Sequence, residues 1–315
     1  MESKQSIWYI IINPHAGSGK TMSKWVPAER KLYAKGVEYR TAYTDHRYHA
    51  TELAYKAAGK GYRKILAVGG DGSVHEAFAG IMKWCEENGA DPLEFTLGVF
   101  PIGSGNDWIK TCRVPKKTEE VISLISEEHT VNLDVIKLVN AQGNPSYMLN
   151  VGGIGFDSHV CKRVNIQKES GKRGRRIYLN ALLHTVKDLQ AINLKFISDG
   201  EEIFSGECYS IALGNGEYSG SGMRQVPGAR IDDGLIDYMI CPKISVSTIL
   251  KEIPKLLNGK IRQSKAELIF GRGRELEIIP LDSLSADIFE VDGEIEGRCP
   301  VKISFTGQQI KAIGG

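Results

Sequence analysis

The stretch Ile65-Leu66-Ala67-Val68-Gly69-Gly70-Asp71-Gly72-Ser73 decides the fold of this 315-residue chain. Its four leading apolar residues are too few for an ordinary helix and read as a buried strand. Gly69-Gly70 stops that strand, and from Val74 to Glu87 the apolar residues return at helical spacing. A strand, a glycine turn and a helix in that order form half of a βαβ unit.

The same rhythm extends both ways. Ile7–Ile12 reads as a strand ending at Asn13-Pro14, Ser23–Lys35 as a helix, Val37–Tyr43 as a strand and His49–Ala58 as a helix. Leu97–Phe100 is a further strand, closed by Pro101 and a glycine-rich loop. Alternation of this kind predicts a parallel sheet whose strand ends carry the ligand-binding loops. Beyond about residue 132 the pattern changes. Val131–Val139, Tyr147–Val151, Ile192–Ile197, Ser210–Leu213, Leu235–Ile240, Ala266–Phe270, Glu275–Ile279 and Val301–Phe305 read as strands. Only Arg176–Leu189 and Ser245–Leu257 interrupt them as helices, so the second half is expected to be a mostly antiparallel β domain.

The 40 Lys and Arg against 38 Asp and Glu give a net charge of +2, which argues against a dedicated nucleic-acid binder. The longest apolar run, Ile7–Ile12, is far short of the ~20 residues of a membrane span. Met1–Gln5 carries no signal-peptide pattern, so a cytoplasmic protein is expected. The six cysteines (85, 112, 161, 208, 241 and 299) form no CxxC pair and read as reduced structural thiols. The histidines form no HxxxH or HExxH pattern, and there is no GxSxG.

Several glycine-rich segments carry chemistry. Gly17-Ser18-Gly19-Lys20-Thr21 has the ending of a P-loop, but Pro14 stands where the first glycine is needed and offers no N–H. The segment also reads as a strand-to-helix turn with Ser18 or Thr21 near a cap. Gly69-Gly70-Asp71-Gly72-Ser73 surrounds a carboxylate with glycines before a helix N-terminus. Its backbone N–H groups suit a polyphosphate, and Asp71 makes sense there if Mg²⁺ bridges it. The other reading is a tight turn with Asp71 as N-cap. Pro101-Ile102-Gly103-Ser104-Gly105-Asn106-Asp107 repeats the device after the next strand.

In the second half, Gly152-Gly153-Ile154-Gly155-Phe156-Asp157 fails the GxGxxG fingerprint because Asp157 holds its last position. Gly214–Met223 reads as a mobile glycine-rich loop. Arg230-Ile231-Asp232-Asp233-Gly234-Leu235 suits a hard cation and equally suits an Asp-Gly turn. Val291-Asp292-Gly293-Glu294 reads as a hairpin with a carboxylate at its edge. Lys162–Arg176 holds seven basic residues and one acid. It reads either as a contact with an anionic membrane or as a solvated loop.

Taken together these motifs resemble the catalytic superfamily of diacylglycerol and sphingosine kinases, and within it the soluble bacterial lipid kinases. Asn13-Pro14 with Gly17, Gly69-Gly70-Asp71-Gly72, Gly103 with Asn106-Asp107, Asn215-Gly216, Asp232-Asp233-Gly234 and Asp292-Gly293-Glu294 follow the family's order. NAD kinases share the Gly-Gly-Asp-Gly element, but the Asn-Pro opening and the late Asp-Gly-Glu favour the lipid kinases.

The resemblance implies a Rossmann-like α/β nucleotide domain over 1–132, to which the last strand, about 306–315, returns, and a β-sandwich lipid domain over 133–305. It implies ATP contacts from Asn13, Gly17, Thr44, Gly69, Gly70, Asp71, Gly72, Ser73, Glu76, Ser104 and Asn106. Asp71 would work with catalytic Mg²⁺ and Glu294 would be the general base. A structural Mg²⁺ would be held by Asp233 and the backbone carbonyls of Arg230 and Leu235, with Asp134 linking it to the active site. Where the family has threonine this chain has Ser73 and Ser104, which keep the hydroxyl. The implied reaction phosphorylates a lipid alcohol, diacylglycerol first, at the inner face of the cell membrane, with a homodimer among the expected assemblies. A kinase of a soluble alcohol such as NAD, or a non-catalytic lipid- or nucleotide-binding regulator, are the other readings.

Overall fold

A computed structural model describes residues 4–103, 105–170, 175–220 and 222–315. Two compact units divide the chain: Met1–Leu133 with Gln308–Gly315, and Asp134–Gly307.

In the first unit the apolar runs become four parallel strands, β1 (Trp8–Ile12), β2 (Tyr39–Tyr43), β3 (Lys64–Gly69) and β4 (Thr96–Pro101). Residues 311–312 of the last strand pair parallel with Thr96 and Leu97, so the order is β2-β1-β3-β4-last strand. Ile10, Ile12, Leu66 and Val68 are buried, as expected of a parallel sheet covered on both faces. The helices are α1 (Ala16–Gly19), α2 (Thr21–Ala34), α3 (His49–Gly59), α4 (Asp71–Asn88), α5 (Asp107–Thr111) and α6 (Thr118–Glu127). The α6 helix is one the sequence reading omitted, although Val121, Ile122 and Ile125 give it a buried stripe.

The second unit begins within β5 (Thr130–Asn140) and continues through β6 (Pro145–Met148), β7 (Val151–Gly155), α7 (Phe156–Glu169) and α8 (Arg175–Lys187). Then come β8 (Ile192–Ser198), β9 (Glu201–Gly214), the short pair β10 (Tyr218–Ser219) and β11 (Met223–Arg224), β12 (Ile236–Pro242) and α9 (Val246–Leu257). The chain closes with β13 (Ile269–Gly273), β14 (Glu275–Pro280), β15 (Ile288–Val291), β16 (Glu294–Arg298) and β17 (Val301–Ile313).

Strand β9 organises this unit. Its first half pairs antiparallel with β8, and from Ser210 to Gly214 it pairs with β7 on one side and β12 on the other. A bulge at Phe196/Ile197 marks the irregular register with β8. Ile136, Phe196, Ile211, Ile240, Ile278 and Ile303 meet in one apolar core.

Two expectations change. The basic stretch from Lys162 runs along α7 to Glu169 instead of forming a loop, and residues 171–174 within it lie outside the described residues. The helix was hidden because this segment is largely polar, with Val160 and Val164 buried in the core and Phe156 packed against it. Part of the loop predicted over Gly214–Met223 forms the β10–β11 pair.

Candidate active site

Because β1, β3 and β4 are parallel neighbours, the loops that follow them lie along one sheet edge. Asn13 joins two of them: its backbone N–H donates to Val68 O (3.0 Å) and its Nδ2 donates to Ser73 Oγ (3.3 Å). Gly69 permits this approach, since a Cβ there would sit 2.2 Å from Ser73 Oγ. The third loop is tied in by Ile102 N–H, which donates to Gly69 O at 2.6 Å. Asn106 closes that loop by donating from Nδ2 to Gly103 O (3.1 Å), with its own backbone left-handed at φ 49°. Gly17 is also left-handed, at φ 55°, and a Cβ on it would meet Ile102 Cγ2 at 2.7 Å. Asn13, Gly17, Gly69, Gly70, Ser73 and Asn106 are therefore brought together. Gly72 lies in the first turn of α4, and Ser104 lies outside the described residues.

Asp71 does not cap its own helix; Gly70 occupies that position. Its carboxylate instead accepts the Trp108 N–H (3.1 Å) at the start of α5. An acid is thus held among glycine loops at the N-terminus of the long helix α4, whose dipole favours anions. Thr21 does not cap α2 either; its hydroxyl donates back to Ala16 O (3.0 Å). Thr44 is buried just past β2, its N–H donating to Ile12 O (2.9 Å). Glu76 points toward α3, where its carboxylate accepts the Ala50 N–H (3.2 Å).

The sequence reading passed over Asp45, His46 and His49, whose ligand-type atoms lie within 4.8 Å of one another. The signal was the Asp-His-x-x-His spacing. Both imidazoles contact the Asp45 carboxylate and their rings stack at 4.4 Å. Hydrogen bonds to Asp45 and then to Glu52 raise the His46 pKa, so an imidazole held between two carboxylates accounts for the group.

In the second unit, Asp292-Gly293 forms the turn of the β15–β16 hairpin. The Asp292 carboxylate accepts the N–H groups of Leu149 (2.8 Å), Asn150 (2.8 Å) and Val151 (3.0 Å). Gly293 O accepts from Cys161 Sγ (2.9 Å) and Asn165 Nδ2 (2.9 Å), one turn apart on α7. Gly293 N–H donates to Glu290 Oε2 (2.9 Å). Glu294, half-buried, is the first residue after this clamped turn. Burial pushes the Glu290 carboxyl well above its ordinary pKa against the Gly293 hydrogen bond, and Asp157, Asp292 and Glu294 add to the rise. Burial pulls Lys168 down, but Tyr178, Cys161 and Glu294 outweigh it and its pKa is raised.

Asp134 is fully buried and joined to the Arg230–Leu235 loop: its N–H donates to Ile231 O (2.6 Å) and Gly234 N–H donates to its Oδ2 (2.7 Å). Asp233 accepts the Leu235 N–H (3.3 Å) and pairs with Arg272 (3.2 Å). Asn215 donates to the carbonyls of Asp134 (3.1 Å) and Leu149 (3.2 Å), while its buried Oδ1 has no hydrogen-bond partner among the described residues. The Gly152–Gly155 segment is strand β7, where close backbone packing explains the glycines: a Cβ at Gly155 would lie 2.4 Å from Tyr209 O.

The sequence matches two known families. The diacylglycerol kinase catalytic domain family matches residues 7–138, and the YegS C-terminal NAD kinase beta sandwich-like domain family matches residues 150–314. The chain belongs to the diacylglycerol kinase/YegS family of lipid kinases. It is therefore an enzyme of the kinase class, with ATP as a substrate.

Among the family's members, a protein named probable lipid kinase YegS-like from Xanthomonas euvesicatoria pv. vesicatoria is 27% identical over 296 residues, covering 92% of this chain and 90% of its own. A Staphylococcus aureus protein named diacylglycerol kinase is 26% identical over 291 residues, covering 92% of this chain and 87% of its own. A crystal structure from Bacillus anthracis str. Sterne shares the fold with a TM-score of 0.76 at 24% identity, covering 100% of this chain and 97% of that one. The α/β nucleotide domain and the β-sandwich-like second domain are thus the family's architecture. Among the described residues no helix is long and apolar enough to cross a membrane.

Proposed function

We propose that this lipid kinase transfers the γ-phosphate of ATP to the hydroxyl of diacylglycerol, giving phosphatidic acid and ADP, as a cytoplasmic protein visiting the inner face of the cell membrane. The observation that carries the reading is the Asp71 carboxylate set among the glycine loops at the sheet edge. A carboxylate beside a polyphosphate is repulsive unless a cation lies between them, so the donor set fits Mg²⁺. When bound there, Mg²⁺ neutralises charge on the transferring phosphoryl group.

The chain's own residues do the rest. Backbone N–H groups of the loops after β1, β3 and β4 hold the phosphates, and Asn13 and Asn106 fix the loops' spacing. Glu294 takes the proton as the acceptor oxygen bonds to the γ-phosphorus and the bond from that phosphorus to the β–γ bridging oxygen breaks. The Asp292 clamp fixes the turn that carries this base. Asp233 with the carbonyls of Arg230 and Leu235 is an all-oxygen set suited to a second, structural Mg²⁺, and Asp134 ties that loop down.

The test incubates purified protein with radiolabelled ATP, Mg²⁺ and either diacylglycerol in mixed micelles or NAD in detergent-free buffer, with Glu294→Gln alongside. Label in the lipid, lost in the variant, is the expected result. Label in NAD alone would replace the lipid acceptor with a soluble one, and ATP binding without any transfer would make the protein a regulator.

A further inference from the structure

Glu290 and Glu294 stand on the two strands of the β15–β16 hairpin, and the Asp292-Gly293 turn between those strands ties one to the other. Glu290 lies on β15 opposite Gly153 of β7 and is only 6% exposed. Its Oε2 accepts the Gly293 N–H at 2.9 Å, so an acid of the strand reaches forward into the turn. The other end of Gly293 is held from α7, where Cys161 Sγ and Asn165 Nδ2 each donate to its carbonyl oxygen at 2.9 Å. Gly293 sits at a φ of 91°, with its N–H and its C=O both bound by side chains. That carbonyl belongs to the planar peptide joining Gly293 to Glu294, so its direction sets the plane from which Glu294 departs.

The contact is that of a neutral acid. Burial lifts the Glu290 carboxyl well above its ordinary pKa, and Asp157, Asp292 and Glu294 add to the rise against the single hydrogen bond from Gly293. A protonated carboxyl still offers Gly293 an acceptor oxygen and places no second negative charge near Glu294. A leucine would fill a buried strand position without the cost of desolvating a polar group. The use of a glutamate here therefore lies in its acceptor oxygen.

We propose that Glu290 is a positioning residue, which through Gly293 fixes the direction in which the turn presents Glu294 to the acceptor hydroxyl. Cys161 and Asn165 act with it from the carbonyl side. The proposal rests on the reading of Glu294 as the base, and it gives the two glutamates of one hairpin opposite needs. Glu294 must carry a charge to take a proton, whereas Glu290 needs only an oxygen that accepts.

The test compares Glu290→Gln, Glu290→Leu, Asn165→Ala and Glu294→Gln in the full chain, with ATP and micellar diacylglycerol varied, and follows hydrogen exchange of the Gly293 amide. Glu290→Leu should lower kcat at least about tenfold and leave the KM for ATP near that of the wild type. Its Gly293 amide should exchange faster. Glu290→Gln should recover most of both losses, because its side-chain oxygen accepts the same N–H without a charge. Asn165→Ala loosens the carbonyl end instead and should lower kcat in the same direction, so the outcome does not depend on the leucine variant folding. An inactive Glu290→Gln would overturn the proposal, since charge at Glu290 would then be what the reaction needs. So would wild-type kcat in Glu290→Leu or, if that variant does not fold, in Asn165→Ala. If Glu294→Gln keeps near-normal turnover while Glu290→Leu loses it and Glu290→Gln recovers it, the base assignment fails and Glu290 stands as the residue that sets the turn.

Discussion

The Asp292 carboxylate lies 2.8 Å from the backbone nitrogen of Asn150, and it accepts the N–H groups of Leu149 and Val151 as well. One acid thereby satisfies three successive donors and fixes the hairpin turn one residue before Glu294. Asp292→Ala strands those donors, with an expected loss of about 2–4 kcal/mol of stability and a fall in turnover. Asp292→Asn keeps an acceptor and should recover part of both. Urea denaturation read beside a kinase assay checks the pair; full activity in the alanine variant would separate the turn from the base it presents.

Glu294→Gln preserves shape and removes the carboxylate proposed as the proton acceptor. Turnover should drop about 10²–10⁴-fold. The KM for ATP should hardly move, since the nucleotide loops belong to the other unit. Steady-state kinetics with both substrates varied decides it, and near-normal turnover would rule out this residue as the base.

Asp71→Asn retains an oxygen able to accept the Trp108 N–H, so stability should change by no more than about 1 kcal/mol. If Asp71 holds the proposed Mg²⁺, turnover should fall by about 10²–10³-fold, because the charge on that ligand is gone. Comparison with Asp71→Ala isolates the two roles: the alanine variant should lose the cap of α5 in addition. A melting curve and a Mg²⁺ titration of activity distinguish them.

Gly17 pairs a left-handed backbone with a close neighbour. Gly17→Ala should cost about 1–2 kcal/mol from φ alone and more from the contact with Ile102 Cγ2. The KM for ATP should rise. Adding Ile102→Ala relieves the contact and leaves the backbone strain, so thermal denaturation of the double variant should show only partial recovery.

Burial pushes the Asp157 carboxyl up to about 6, against the opposing hydrogen bonds from Ser210 and Gln225. A carboxyl with a raised folded-state pKa gives stability that is present below its unfolded value and lost as pH climbs through the folded value. The contribution should therefore disappear between about pH 4 and about pH 6, amounting to about 3 kcal/mol. Asp157→Asn cannot ionise, so its stability relative to wild type should rise across that window in urea denaturation. A constant difference would show that Asp157 titrates normally.

The alternation of Ile7–Ile12, Ile65–Val68 and Leu97–Phe100 with helical segments made the parallel sheet legible, because buried strands on both faces read as unbroken apolar runs. The positions of Asn13, Gly69, Gly70 and Asn106 at one edge followed from strand order. The partners of the acids could not be read. Asp71 accepts an N–H from a helix residue 37 positions downstream, and Asp292 binds backbone about 140 residues earlier, contacts that local pattern does not encode. Helix α7 was missed because its surface is polar almost all round, and Asp45 and His46 because only the left-handed turn at Tyr48 swings His49 back to them.

The path of β17 also bears on how the protein is made. Its residues 311–312 complete the sheet edge beside β4, and Gly314 N–H donates to His129 O (3.1 Å). The strand that closes the nucleotide unit is thus made only after the whole second unit. Until then the hydrogen-bonding edge of β4 at Thr96 and Leu97 lacks its β17 neighbour, so a nascent chain should gain its ATP-binding form only once residues 311–312 have been made.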